Sequence, residues 1–131
     1  MSVVKSEFAD GVLTVTLADE PRRNALSSQL VGELTAALDA AEADPAVRVI
    51  VLTNEGRVFC AGADLSEQSS ADEPPAAVRD PQSLFGRFAR SPKPYVGRIA
   101  GHCVAGGMGL AAALDISVAV EDAKFGFTEV R

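Results

Sequence analysis

The sequence predicts an α/β domain assembled from repeated ββα units. Asp10-Gly11 separates two strand-like runs at residues 2–8 and 11–17, the signature of a two-residue hairpin turn. A helical stripe of Leu30, Val31, Leu34, Leu38 and Ala41 follows. The run from Val47 to Leu52 then has the unbroken, β-branched character of a buried parallel strand.

In the hairpin, Val12, Thr14 and Thr16 alternate with Leu13, Val15 and Leu17, so one face is more apolar than the other. Residues 19–24, Asp-Glu-Pro-Arg-Arg-Asn, form a loop, and Ser27 or Ser28 caps the helix after it. Asp44-Pro45 ends that helix, because proline disfavours helical backbone in the residue before it. Residues 66–81 are dominated by Ser, Ala, Asp, Glu and Pro, keep no periodicity, and read as a surface loop that could order over a ligand. Residues 82–90 make a short helix with Leu84, Phe85 and Phe88 inward, stopped by Pro92 and Pro94. Tyr95 to Ala100 is a second buried strand, Gly106 to Leu114 a small-residue helix, Ile116 to Val120 a third buried strand, and Ala123 to Phe127 a short fourth. The second unit lacks the helix that the pattern calls for after Arg131. The chain therefore reads as an incomplete spiral: a fragment, a cleaved chain or half of something.

A length of 131 residues and a 47% apolar share suit one domain with one core. The formal charge of −6, with no basic run, argues against nucleic acid or an anionic membrane surface as partner. No stretch approaches the roughly 20 apolar residues that span a bilayer, and the first residues lack the apolar core of a signal peptide. Two cysteines far apart, Cys60 and Cys103, read as reduced thiols of a cytoplasmic protein. The single histidine, His102, gives zinc chemistry and a Ser-His-Asp triad little support, so no metal site is expected.

Two small-residue turns carry the chemistry. Phe59-Cys60-Ala61-Gly62-Ala63-Asp64-Leu65 leaves the region after the Val47–Leu52 strand, and Ala105-Gly106-Gly107-Met108-Gly109-Leu110 opens a helix. Free N–H groups at a helix start favour negative charge, and glycine lets a ligand come close to the backbone. The pair could aim two N–H groups at one carbonyl oxygen, as an oxyanion hole for an enolate-like intermediate requires. Singly, each turn fits a structural role equally well: Gly106-Gly107 for tight helix–strand packing, Asp64 as a helix cap. Cys60 and Cys103 read as small buried fillers, His102 as structural or exposed, and Asp115 as a hydrogen-bonded turn residue.

Asn24-Ala25-Leu26, Val47 to Thr53, the Phe59–Leu65 turn, Gly106-Gly107 and Asp115 together resemble the crotonase (enoyl-CoA hydratase/isomerase) superfamily. The similarity covers nearly the whole chain, in order, but only the N-terminal half or slightly more of family members. It implies a crotonase-like spiral over residues 1–131 that lacks the C-terminal helical trimerisation region. By motif position, the N–H groups of Ala63 and Gly106 would form the oxyanion hole. The backbone of Ala61, Gly62, Ala63, Asp64 and Leu65 would line the adenine and pantetheine end, and Arg22 and Arg23 would offer charge to CoA phosphates.

The resemblance also implies two acid–base glutamates, and here the first position is Gly109 while the second is Glu129. Glycine moves no proton. The combination of Gly-Gly-x-Gly-Leu with Thr-Glu-Val-Arg is similar to the methylglutaconyl-CoA hydratase-like branch. The expected activity is therefore an enoyl-CoA hydratase-type carbon–oxygen lyase of fatty acid metabolism, acting on an acyl-CoA thioester with no further cofactor. A single-glutamate isomerase and a catalytically silent acyl-CoA-binding protein are the alternatives. An intact chain is expected to form a homotrimer or hexamer.

Overall fold

The computed structural model describes residues 2–64 and 81–127. Strands β1 (Val4–Ala9) and β2 (Val12–Leu17) pair antiparallel from Val4↔Leu17 to Ala9↔Val12. Asp10 (φ 51°) and Gly11 (φ 82°) both take positive φ, as the primed hairpin turns demand. Residues Glu20–Arg22 form one 3₁₀ turn where the sequence predicts plain loop.

Helix α1 (Ser28–Ala43) is capped by Ser27, whose side chain accepts a hydrogen bond from Leu30 N at 3.1 Å. Its buried residues are the predicted stripe: Leu30, Val31, Leu34, Leu38 and Ala41. At its far end Lys93 Nζ donates to Ala41 O (2.8 Å) and Asp44 O (2.7 Å). A cation there complements the negative end of the helix dipole.

Strand β3 (Val49–Asn54) lies parallel between β2 and β5 (Tyr95–Ile99), and β7 (Ile116–Ala119) pairs parallel with β5. The sheet order is β1-β2-β3-β5-β7. A second sheet contains β4 (Val58–Cys60), β6 (His102–Val104) and β8 (Phe125–Gly126), all parallel and in that order. Helices α2 (Pro81–Arg90) and α3 (Gly106–Ala113) complete the described elements. From β3 onward the chain visits the large sheet, the small sheet and then a helix, and repeats: a spiral of ββα turns.

Several expectations need correction. Strand β3 starts at Val49 rather than Val47, because Val47 N closes a turn onto Asp44 O at 3.0 Å. Strands β4 and β6 are absent from the sequence reading, and at three residues each they are too short for alternation to register. β7 is predicted buried but is exposed along its length, with Ile116 at 60% and Val118 at 63%. It pairs with β5 alone among the described residues, and composition does not reveal whether a strand's faces are covered. The expected loop at 66–80 lies outside the described residues, and Pro81 is already helical.

The core gathers between the sheets and helices. Leu17, Leu34, Ile50, Leu52, Phe59, Phe88, Tyr95 and Ile99 are almost wholly inaccessible. The rings of Phe88 and Tyr95 pack at 4.7 Å with a 59° tilt, a geometry that aromatic quadrupoles favour. Tyr95 also donates its hydroxyl hydrogen bond to Glu42.

Candidate active site

Strand β4 delivers the first turn, Cys60 to Asp64, and a neighbouring segment holds it along its length. Ala61 N donates to Arg23 O at 3.1 Å, and Leu26 N to Gly62 O at 2.7 Å, so Leu26 and Ala63 form a parallel bridge. The bond into this bridge comes from Leu26 N, which does not consume the Ala63 N–H. Asn24 makes the alignment possible. It is wholly buried with φ 52°, a left-handed conformation that asparagine tolerates. Its Nδ2 donates to Val58 O at 3.0 Å and its Oδ1 accepts from Asp19 N at 2.7 Å. The sequence marks Asn24 as part of a motif but not as this brace.

The second turn follows β6. Ala105 has φ 51° and ψ −127°, a conformation few side chains adopt, and strain of that kind concentrates at functional sites. Its N–H is tied to Gly126 O at 2.9 Å on β8. Gly106 then opens α3, so its N–H is among those with no acceptor inside the helix.

The structure brings the two turns into backbone contact. Gly62 has φ +88°, and a Cβ placed on it would lie 2.7 Å from Gly106 N and 3.2 Å from Ala105 Cβ. A Cβ on Gly106 would lie 3.4 Å from Gly62 Cα and 3.7 Å from Ala63 N. Glycine at 107 is also compulsory, since a Cβ there would stand 2.0 Å from Cys60 O. Gly62, Ala63 and Gly106 therefore lie side by side at the N-terminal end of α3, the positive end of its dipole.

Other predicted site residues are less concentrated. Arg22 and Arg23 have different neighbours: Arg22 Nη1 reaches Asp64 Oδ2 at 3.9 Å, while Arg23 lines a cavity of about 830 Å³ with Glu20, Arg57, His102 and Lys124. Ala61 lies on the edge of that same cavity. Gly109 sits one turn into α3 against the ring of Phe85. Leu65 and Glu129 lie outside the described residues.

Cys60 and Cys103 are both fully buried and lie in register across β4 and β6. Burial pushes the Cys60 thiol up to about 12 and the Cys103 thiol up to about 11. Neither is a thiolate near neutral pH, which fits the filler role. His102 Nδ1 accepts a hydrogen bond from Lys124 N at 3.0 Å, a structural use. Asp115 Oδ2 accepts from Tyr95 N at 2.8 Å, and Asp115 N donates to Tyr95 O at 3.0 Å, as a hydrogen-bonded turn residue should. Among the described residues, no cluster of His, Cys, Asp and Glu is arranged to hold a metal ion.

Residues 7–131 match the family described as enoyl-CoA hydratase/isomerase. The chain belongs to the enoyl-CoA hydratase/isomerase family. It is 44% identical over 119 residues to the "Probable enoyl-CoA hydratase echA6" of Mycobacterium tuberculosis, covering 91% of this chain and 47% of that one. It is 39% identical over 124 residues to the "Probable enoyl-CoA hydratase" of Bacillus subtilis, covering 92% and 48%. An enoyl-CoA hydratase/isomerase structure from Xanthobacter autotrophicus Py2 superposes with a TM-score of 0.84 at 36% identity, over 98% of this chain and 50% of that one. The chain spans about half the length of the curated relatives it matches. No described helix of this family member is long and apolar enough to cross a membrane.

Proposed function

We propose that the intact protein is an enoyl-CoA hydratase-type enzyme whose oxyanion hole is formed by the backbone N–H groups of Ala63 and Gly106. The observation that carries this reading is the backbone contact between the two turns, with Gly62 wedged against Gly106 N. Family membership supports the substrate class, an acyl-CoA thioester. In hydration, the hole draws electron density from the conjugated double bond onto the thioester oxygen. Water then adds through its oxygen to the β-carbon, its proton leaves to a carboxylate, and a proton returns to the α-carbon as the enolate collapses. Fixed donors suit this step because charge grows on an oxygen that they already face.

Glu129 is the carboxylate in this scheme, acting as base and then acid. Arg22, Arg23 and the Ala61–Leu65 backbone serve the CoA portion. No cofactor beyond the CoA of the substrate is required, and the working form is a cytoplasmic homotrimer or hexamer. The decisive assay incubates the intact protein with a panel of enoyl-CoA esters and follows loss of the conjugated thioester. Absence of turnover with every ester, alongside measurable CoA-ester binding, would rule out the enzymatic reading.

One observation favours a second reading. Gly109 carries no proton donor, and the Phe85 ring packs tightly against the point from which a side chain at 109 would grow. A single-glutamate isomerase, or an acyl-CoA-binding protein without turnover, fits that arrangement. Replacing Glu129 by Gln separates the cases: a large loss of rate identifies a catalyst, and unchanged binding with no rate to lose identifies a binding protein.

A further inference from the structure

The acyl-CoA reading leaves open which acyl groups the site takes, and helix α2 bears on that. Leu84 and Phe88 are 2% and 1% exposed and anchor one face of α2 in the core. Arg87 ties the helix to α1 through Asp39 Oδ1 at 2.6 Å and Glu42 Oε2 at 3.3 Å. Phe85, half-buried between these anchors, lays its ring edge on Gly109. A Cβ on Gly109 would lie 3.2 Å from Phe85 Cε2, 3.6 Å from Cζ and 3.9 Å from Cδ2. The ring therefore lies in tight contact with the point from which a side chain at 109 would grow.

Gly106 and Gly109 share a face of α3, since residues three apart on a helix lie one above the other. The rise between them is about 4.5 Å. An acyl group whose carbonyl oxygen sits on Gly106 N–H and whose chain follows this face meets the Phe85 ring within one helical turn.

We propose that Phe85 is the specificity-determining side chain of this site, and that it restricts the acyl group to short, apolar chains. This rests on the acyl-CoA reading above. The ring blocks extension by occupied volume, and it penalises polar acyl groups by leaving them without a hydrogen-bond partner. Phe85 does no chemistry. It sets the depth and polarity of the space beside the hole.

Calorimetric titration of the intact protein with free CoA, butyryl-CoA and decanoyl-CoA tests this. The wild type should bind the butyryl ester more tightly than the decanoyl ester. Phe85→Ala should tighten decanoyl-CoA by about tenfold, the order that pocket volume commonly confers, with free CoA unchanged. A butyryl-to-decanoyl ratio that Phe85→Ala leaves untouched, or an equal loss for all three ligands, overturns the proposal. If Phe85→Ala fails to fold, Phe85→Leu keeps apolar bulk while removing the flat ring edge. It should shift the ratio in the same direction, and an unshifted ratio again overturns it. A wild type that binds no CoA ester at all instead overturns the underlying acyl-CoA reading.

Discussion

Gly62 and Gly106 meet backbone to backbone, so that a Cβ on Gly62 would lie 2.7 Å from Gly106 N. The contact joins a loop leaving the small sheet to the first residue of α3, two segments more than forty residues apart in sequence. Gly62 also has φ +88°, so any side chain meets backbone strain as well as collision. Gly62→Ala is expected to separate the Ala63 and Gly106 N–H groups and weaken acyl-CoA binding by tenfold or more, about 1.4 kcal/mol. Titration with a CoA ester checks it, with circular dichroism confirming that the fold persists.

Gly107→Ala acts on stability. The new Cβ would lie 2.0 Å from Cys60 O, and neither partner is a flexible side-chain end. Helix α3 must then move off β4, at a cost of about 1–3 kcal/mol or more. Urea denaturation should show a lower midpoint. An unchanged midpoint would show that the two backbones are not in contact.

Asn24→Ala removes the brace under the first turn. It strips the acceptor from Asp19 N and the donor from Val58 O, and Asn24 itself is wholly buried. Leaving such groups unpaired costs about 1–3 kcal/mol each. Because Arg23 O and Leu26 N hold Ala61 and Gly62, the variant should lose CoA-ester affinity as well as stability. Asn24→Asp keeps the acceptor and should recover part of the stability.

The two thiols make stability fall at alkaline pH. Burial raises Cys60 from 9.0 to about 12 and Cys103 from 9.0 to about 11. Above the lower value the unfolded chain releases thiol protons that the folded chain retains, so rising pH favours unfolding. Their contribution is complete below pH 9 and fades between 9 and the folded values. Thermal melts across that range should show a falling midpoint, with a shallower slope in Cys60→Ala. A thiol reagent at pH 8 should label neither cysteine until denaturant is added.

Much of the fold is legible in the sequence because it depends on local periodicity. Asp10-Gly11 specifies its turn through positive φ, Ser27 its cap through a side-chain oxygen, and the Leu30–Ala41 stripe its buried face through helical spacing. The site is legible only as two turns rich in small residues. Resemblance supplies their partnership. Phe85 reads as an inward-facing helix residue, and nothing in its neighbours reveals that the ring would rest on Gly109.

By itself, then, the sequence determined the longer helices and strands, the hairpin, the α1 face and the two turns, all properties of short stretches with their own backbone preferences. Tertiary structure decided that Gly62 abuts Gly106, that Asn24 braces the first turn against β4, that Arg22 and Arg23 have different neighbours, and that β7 lies exposed. Those outcomes depend on contacts between residues distant in the chain, where sheet order and packing, not local propensity, set the distances.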